Sequence, residues 1–437
     1  MEIIRSGKFI LILLSLPFLT KAQDTLNLSR EQAEAVFLKE NLILIAERLE
    51  IPKAEAMVLQ AKLWPNPTIE ISEVNLWATQ SQIEHAGADG FLPPFYSNGD
   101  FGRNQQFGVQ IEQLILTAGK RKKLLELEQV TADQSIQYFE DLLRNLKIEL
   151  RNRLTNLQYL QFSRAVYQTQ ITSIGQLTQA YKKQVGQGNI PKGEYIRLKA
   201  LELEIAQHIN ELNTEVNEVQ KELKLLMGLP APTQLKITED GYLLDVQQFE
   251  EIVFGDLIDL ARENRADFKI AELNVAYNTR LKAYEEAKRI PDIALGVNYD
   301  RGGNFIKDFV GFGLTMDLPF FNRNQGNIKA AKIGIEQSRI HVHHKDLSIE
   351  NEVSLAYKNL YAAIQFLDQI EAGYEMELDS LLTSYTNNYI SRNIRLLEYL
   401  DFLEAYLVNK EIILEAAKNA LEKAEELNYT VGTDLIK

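Results

Sequence analysis

Long stretches of this chain repeat their hydrophobic residues at steps of three and four, the period of an α-helix. No proline interrupts residues 120–185, which predicts one helix of roughly 65 residues, or about 100 Å. The next stretch keeps a repeat of about 3.5 residues, typical of left-handed supercoiling, at Leu198, Leu201, Ile205, Ile209, Leu212, Val216, Val219, Leu223 and Leu226. Because no compact core needs such lengths, we expect extended antiparallel helices.

Four short segments instead alternate apolar and polar residues, the period of a β-strand with two unlike faces. Their predicted bounds are about 66–76, 104–114, 291–301 and 308–318. Each is about nine to eleven residues long, enough for a tilted strand to cross a bilayer. Aromatic residues flank them, as at membrane–water interfaces: Trp64, Phe320 and Phe321 at one end, Trp77, Tyr299 and Phe305 at the other. A half-buried soluble sheet is the alternative interpretation.

The chain carries this order of elements twice. One signature, Tyr181-x7-Asn189-Ile190-x3-Glu194-Tyr195, recurs with the same spacing as Tyr385-x7-Asn393-Ile394-x3-Glu398-Tyr399. A repeat in fixed order predicts one structural unit built twice: helix, β-hairpin, long helix, helix. We place the first repeat at 23–229, an irregular linker at 230–250, the second repeat at 251–430 and a tail at 431–437. The predicted helices are about 28–62, 120–185, 191–227, 251–290, 327–388 and 394–429.

Residues 1–22 have the pattern of a secretory signal peptide. Arg5 and Lys8 form a basic start, residues 9–16 an apolar core, and Thr20-Lys21-Ala22 a cleavage site with small residues. The apolar core is too short to span a bilayer as a helix. We therefore expect export and cleavage, with a retained membrane anchor as the alternative.

Composition narrows the function. The net charge of −14 is unsuited to binding nucleic acid, whose phosphates require a basic surface. The absence of cysteine excludes disulfides and a lipid-modified cysteine. Gly119-Lys120 does not complete a phosphate-binding loop, and no catalytic triad is recognisable, so we expect neither an enzyme nor a bound cofactor.

Four strands are too few to close a barrel, and their open edges would be costly in lipid. If these strands cross a membrane, the barrel must therefore be shared between chains. Three chains would supply twelve strands, an even number within the known range. The sequence thus predicts a homo-oligomer.

The doubled plan and the motif Tyr181-x4-Gly186-x2-Asn189-Ile190 resemble the TolC-type outer-membrane factors of efflux and type I secretion systems. Leu63-Trp64-Pro65-Asn66-Pro67 and Leu114-x4-Gly119-Lys120-Arg121 resemble the CzcC/CusC-like subgroup that serves heavy-metal resistance-nodulation-division pumps. The resemblance implies a mainly α-helical trimer with a twelve-stranded outer-membrane barrel and a twelve-helix periplasmic tunnel. Its implied partners are a periplasmic adaptor protein, outer-membrane lipid and, indirectly, an inner-membrane pump.

The resemblance also assigns candidate site residues. The two polar turns would be adaptor-docking tips: Val185, Gly186, Asn189, Ile190 and Pro191 in the first, Ile390, Asn393 and Ile394 in the second. Glu398 and Asp401 stand one helical turn apart and match an acidic pair at the narrow periplasmic mouth. Stacked carboxylate rings of this kind would bind and select cations. Arg392 and Arg395 are candidate latches that would pair with acids on a neighbouring helix.

His341 and His344 share a helix face at a spacing that suits a metal ion, although a surface histidine cluster is the simpler interpretation. The function we predict is a passive export conduit of a tripartite efflux system, with metal cations as cargo. A type I secretion or drug-efflux conduit is the first alternative. A soluble periplasmic coiled-coil adaptor is the second.

Overall fold

The structure is a computed structural model that describes residues 25–75, 106–238, 253–301, 308–371 and 373–436. The expected signal peptide at 1–22, the flanking residues Trp77 and Phe305, and the linker from residue 239 onwards lie outside the described residues. The chain forms two compact units, each considered by itself. Unit 1 comprises residues 1–42, 147–244 and 362–423, and unit 2 comprises residues 43–146, 245–361 and 424–437.

The structure is mainly helical, and its elements repeat in tandem as the sequence predicted. The helices are α1 (Arg30–Glu40), α2 (Leu42–Arg48), α3 (Glu50–Lys62), α4 (Lys120–Gly186), α5 (Lys192–Leu226), α6 (Phe254–Asn264), α7 (Ala266–Ala287), α8 (Gln325–Leu367), α9 (Tyr374–Ile390) and α10 (Leu396–Val431). The strands are β1 (Thr25–Leu28), β2 (Thr68–Asn75), β3 (Gln106–Ile115), β4 (Gln234–Ile237), β5 (Ile293–Arg301) and β6 (Phe309–Met316). The longest helix, α4, has 67 residues. Among the described residues, no helix combines the length and the apolar character needed to span a bilayer.

Three helices predicted as continuous are interrupted, and single residues cause the breaks. Asn41 is extended between α1 and α2, and its side-chain amide donates to the carbonyl of Leu226 at 2.7 Å. Arg265 is extended between α6 and α7. Gly373 has a φ of 88° directly before α9, a conformation favourable only for glycine, so the predicted helix 327–388 is two helices. Helical periodicity continues across such breaks and therefore does not reveal them.

The prediction that the linker is irregular was wrong at one point. Residues Gln234–Ile237 form β4, which pairs in parallel with β1 in unit 1. Gln220 on α5 fixes this small sheet, because its side-chain amide accepts from the amide N–H of Leu235 and donates to the carbonyl of Leu235. A strand of four residues that follows Pro230 and Pro232 is too short to give a clear alternation.

Unit 2 contains a four-stranded antiparallel sheet of order β2-β3-β5-β6. Directly paired residues of an antiparallel sheet share a face. One row across the sheet, exposed throughout, is apolar: Ile69, Ile111, Val297 and Phe312. The next row is polar or glycine: Glu70, Gln110, Asn298 and Gly311. Phe312 is 84% exposed, so the sheet presents an uncovered apolar face within this chain.

A buried cluster of charges joins four helices of unit 2 at the break between α6 and α7. Arg265 is 2% exposed and donates to Glu352 at 2.6 Å, to Asp267 at 2.7 Å and to the carbonyl of Thr430 at 3.2 Å. Asp267 also pairs with Lys345 at 2.8 Å and with Arg144 at 3.3 Å. Burial alone would raise the pKa of Asp267, but the hydrogen bonds from Arg265 and Lys345 outweigh it and lower that pKa.

We expect Arg265→Ala to lower the free energy of unfolding by about 3–5 kcal/mol, because Asp267 and Glu352 lose their buried partner. Arg262→Ala is the matched control. Its guanidinium also pairs with two acids of α8 but is 33% exposed, so the loss should be about 1 kcal/mol or less. Denaturant unfolding of the detergent-solubilised protein measures both. Equal losses for the two variants would contradict a special role of the buried cluster.

Because the folded pKa of Asp267 lies below its unfolded value, its contribution to stability is present above about pH 4 and is lost as the pH falls further. The same unfolding experiment at lower pH should therefore show wild type losing stability more steeply than Arg265→Ala.

Candidate functional site

The first tip, between α4 and α5, is a compact helix end closed by backbone hydrogen bonds. The amide N–H of Asn189 donates to the carbonyl of Gln184 at 2.9 Å, and that of Gly188 donates to Val185 at 3.0 Å. Gly188 has a φ of 75°, the left-handed backbone conformation that such a helix end requires. Pro191 is the extended residue directly before α5. Gly186 has open space around a hypothetical Cβ, so the outer surface of this turn is free within the chain.

The second tip, between α9 and α10, has the same hydrogen bonds but not the same residue at the critical point. The amide N–H of Asn393 donates to Asn388 at 2.8 Å, and that of Arg392 donates to Tyr389 at 3.0 Å. Arg392 occupies the position of Gly188 and has a φ of 60°. An L-residue is strained in this conformation, by about 1–2 kcal/mol. The second tip therefore keeps a charged, exposed side chain at the cost of backbone strain.

A column of tyrosines packs behind the two tips in unit 1. The hydroxyl of Tyr389 donates to that of Tyr181, and the rings of Tyr389 and Tyr399 stack at 4.8 Å. Tyr399 is 1% exposed and Tyr389 is 6% exposed. Burial, followed by the hydrogen bond with Tyr181, raises the pKa of Tyr389. The repeat drew attention to Tyr181 and Tyr399 as a signature, but nothing in the sequence indicated that Tyr389 would join them.

Glu398 and Asp401 lie on one side of α10, as their spacing predicted. Both line an open groove of about 530 Å³ together with Tyr385, Asn388, Ile394, Phe402 and Ala405. Both carboxylates are exposed in the single chain. The first repeat carries Glu194 and Arg197 at the positions equivalent to Glu398 and Asp401. The pair of acids is therefore present in the second repeat and not in the first.

Arg395 directly precedes α10 and pairs with Glu398 in the first turn of that helix. Its guanidinium donates to Glu398 at 2.7 Å and 2.9 Å, and these hydrogen bonds lower the pKa of Glu398. Repulsion between the acids of a ring would act in the opposite direction. Within the described residues, Arg392 forms no ion pair, so the single chain brings neither arginine to an acid of a neighbouring helix. That these arginines latch neighbouring helices in the oligomer therefore stays a prediction.

Sequence reasoning missed a second charge cluster, which lies further along α9 and α10 than Glu398 and Asp401. Lys410 is buried and pairs with Glu375 at 2.8 Å and with Asp379 at 3.0 Å. Tyr406 donates to Asp379 at 2.8 Å. These contacts fasten α9 to α10 below the tip. The opposite charges lie about 30 positions apart in the sequence, so no helical spacing could connect them.

The histidine cluster gives little support for a metal site. His341, His343 and His344 are exposed on α8. In the part of the chain that the structure describes, no group of three or more histidine or acidic side chains is placed to hold a metal ion.

Comparisons with known proteins identify the fold. No protein-family model and no curated protein matches the sequence. Among solved structures, the outer-membrane channel CmeC of Campylobacter jejuni matches with a TM-score of 0.72 and 13% identity, covering 93% of this chain and 86% of that one. The MtrE outer-membrane channel of Neisseria gonorrhoeae in its open state matches with a TM-score of 0.70 and 15% identity, covering 93% and 89%. CusC, described as forming a transmembrane channel, matches with a TM-score of 0.69 and 17% identity, covering 93% and 92%. The chain therefore has the tandem-repeat fold of TolC-like outer-membrane channels, as the sequence predicted.

Replacing Arg392 with glycine should relieve the strain at the second tip by about 1 kcal/mol. Arg392→Ala is the matched control, since it removes the same charge and leaves a side chain at positive φ. Hydrogen exchange of the amides at residues 391–394, read by mass spectrometry, should slow about fivefold in the glycine variant only. If both variants exchange at the wild-type rate, Arg392 is not strained in the folded protein.

Proposed function

We propose that this chain is one subunit of a trimeric outer-membrane channel in a tripartite efflux system. The observation that carries this proposal is the uncovered apolar face of the four-stranded sheet, whose edge strands β2 and β6 each pair on one side only among the described residues. An apolar face suits lipid, and unpaired edges in lipid require further strands. Equivalent strands of sister chains would supply them and would close a barrel of twelve strands around the polar face.

Exposed apolar stripes on the helices of unit 2 support the same assembly. On α8, Ile333, Ile340, Leu347 and Leu355 are each about half exposed and recur at steps of seven or eight residues. A second exposed apolar pair lies at α2, where Ile45 is 45% and Leu49 is 64% exposed, one helical turn apart. Two different stripes on one chain suit a head-to-tail contact, which closes into a ring. The helices of three chains would then form the wall of a tunnel in the periplasm.

Within this assembly, the tips would contact a periplasmic adaptor protein, and the adaptor would connect the channel to an inner-membrane pump. The exposed residues Gly186 and Ile390 present a surface that needs no rearrangement of the chain to be contacted. Three copies of Glu398 and Asp401 would place carboxylates around the narrow mouth. The channel itself would be passive and would act without a cofactor.

We favour metal cations as cargo, because the acidic pair attracts cations and the Leu63-Trp64-Pro65 motif resembles the heavy-metal subgroup. The identities with CusC, CmeC and MtrE lie within a few per cent of one another, so they do not distinguish subgroups. A drug-efflux or type I secretion conduit has the same architecture. A soluble coiled-coil adaptor is disfavoured by the apolar sheet face.

The direct test is fractionation and sizing of the mature protein. We expect it in outer membranes, extracted only by detergent, and with three subunits per particle by light scattering or native mass spectrometry. Recovery as a monomer in detergent-free buffer would contradict the proposal. Deletion of the gene should then sensitise cells, and the spectrum of compounds separates metal, drug and protein cargo.

We expect Glu398→Gln with Asp401→Asn to reduce cation selectivity in single-channel recordings by about threefold or more, because ringed carboxylates attract cations. The control replaces the equivalent residues Glu194 and Arg197 with glutamine, which changes no net charge. Since Arg395 lowers the pKa of Glu398, Arg395→Gln should shift the loss of selectivity on acidification to a higher pH. Unaltered selectivity in the double variant would remove these acids from the gate.

A further inference from the structure

The helical end of the sheet in unit 2 is surrounded by basic and aromatic side chains. Four segments connect the strands to the helices there, residues 62–67, 116–123, 284–292 and 317–329. Together they carry nine Lys or Arg and four Asp or Glu, a net charge of +5 in a chain whose net charge is −14. The two segments that connect β2 to β3 and β5 to β6 in the sequence, residues 76–105 and 302–308, carry four acids and two bases. Positive charge is thus concentrated at one end of the sheet.

Some of these cations are neutralised by acids of the same chain. Lys120 is buried against Asp292 at 2.8 Å, and Lys288 pairs with Glu285 at 2.7 Å. Arg289, in contrast, is exposed and forms no ion pair among the described residues. The cations that pair with acids of the chain are therefore different residues from the cation that remains available to a ligand.

Arg121 is held in place beside an interfacial aromatic ring. Its guanidinium lies over the ring of Trp64 at 4.2 Å and donates to the carbonyl of Lys62 at 2.7 Å. Trp64 is 60% exposed. A guanidinium has five N–H donors in a planar fork, and the bond to Lys62 uses one of them. This arrangement fixes Arg121 while leaving donors for a phosphate group.

An amphiphilic cleft of about 970 Å³ lies between these groups. Arg121 and Arg289 line it together with Leu63, Ile290, Leu318 and Phe321. Phe321 is 97% exposed and Leu318 is 61% exposed. Met316, the last residue of β6 on the apolar sheet face, also lines the cleft, so that face reaches its rim. Cationic and apolar groups side by side match a ligand with an anionic head and hydrocarbon chains.

We propose that this cleft binds the headgroup phosphate of an anionic phospholipid in the membrane leaflet next to the helices, with Arg121 and Arg289 as the phosphate ligands and Phe321 against the acyl chains. The inference rests on the proposed function, because it requires the sheet to lie in a bilayer. It adds a ligand for the positive end of the sheet, which would lie in the leaflet next to the helices.

The test uses Trp64 as the reporter. In a Trp77→Phe background Trp64 is the sole tryptophan of the chain, since the sequence contains two. The purified channel is reconstituted with phosphatidylglycerol or phosphatidylcholine brominated on the acyl chains, and quenching of Trp64 fluorescence is measured. We expect brominated phosphatidylglycerol to quench at about one third of the mole fraction that phosphatidylcholine requires, with a preference that weakens as salt is added.

Arg121→Gln and Arg289→Gln should each reduce this preference, and the double variant should abolish it. Arg289→Gln removes no contact within the described chain, so its result does not depend on folding. Arg164→Gln with Arg197→Gln is the charge-matched control in unit 1, where both arginines are exposed, and should keep the preference. Retention of the preference in the Arg121/Arg289 double variant would overturn the assignment.

Three further outcomes separate the alternatives. If inorganic phosphate abolishes the preference and chloride at equal ionic strength does not, the cleft is a site for free anions, and the lipid proposal is wrong. If the protein floats with liposomes but both lipids quench Trp64 equally, this inference fails and the proposed function stands. If the protein does not associate with liposomes at all, the proposed function itself fails.

Discussion

An unpaired backbone amide or carbonyl in hydrocarbon is costly, and this constraint governs how the four-stranded sheet can be used. Within one chain, β3 and β5 are paired on both sides, while β2 and β6 are paired on one. In water, the backbone groups of the edge strands would be solvated, but exposure of the apolar face would be unfavourable. In lipid, the apolar face would be favourable, but the unpaired backbone groups of the edges would be costly. Only closure with further strands removes both difficulties, which is why the proposed assembly follows from the sheet.

The two rows of the sheet give it one apolar face and one polar face. Ile111 and Val297 pair on the apolar face, while Gln110 and Asn298 pair on the other. Gly311 completes the polar row, where a Cβ would collide with the side chain of Asn298. Because glycine leaves space for the Asn298 side-chain amide, this face stays polar, which is favourable in contact with water. The sequence predicted this sheet because a period of two with one apolar face is a purely local signal.

The positions of the helix breaks could not be predicted in the same way. Arg265 interrupts a helical pattern because its side chain reaches Glu352, 87 residues away, and the carbonyl of Thr430. Asn41 ends α1 while its amide caps a carbonyl of α5. These contacts exist only after the chain has folded, and their partners have no fixed spacing in the sequence. The same holds for Tyr389 in the candidate site, whereas the shared helix face of Glu398 and Asp401 was predictable because one helical turn separates them.

The repeat also shows where this chain departs from its own symmetry. The two tips share a hydrogen-bonding pattern and an asparagine at the same point, so their backbones follow one design. The side chains differ where the surface is exposed: Gly188 corresponds to Arg392, and Arg197 corresponds to Asp401. A glycine would be the less strained residue at position 392. Within the described residues no ion pair of Arg392 offsets this strain, so the stability of the turn does not account for an arginine here. At the second tip and in the acidic groove beside it, we therefore expect the exposed residues to serve the function of the assembly rather than the stability of the fold.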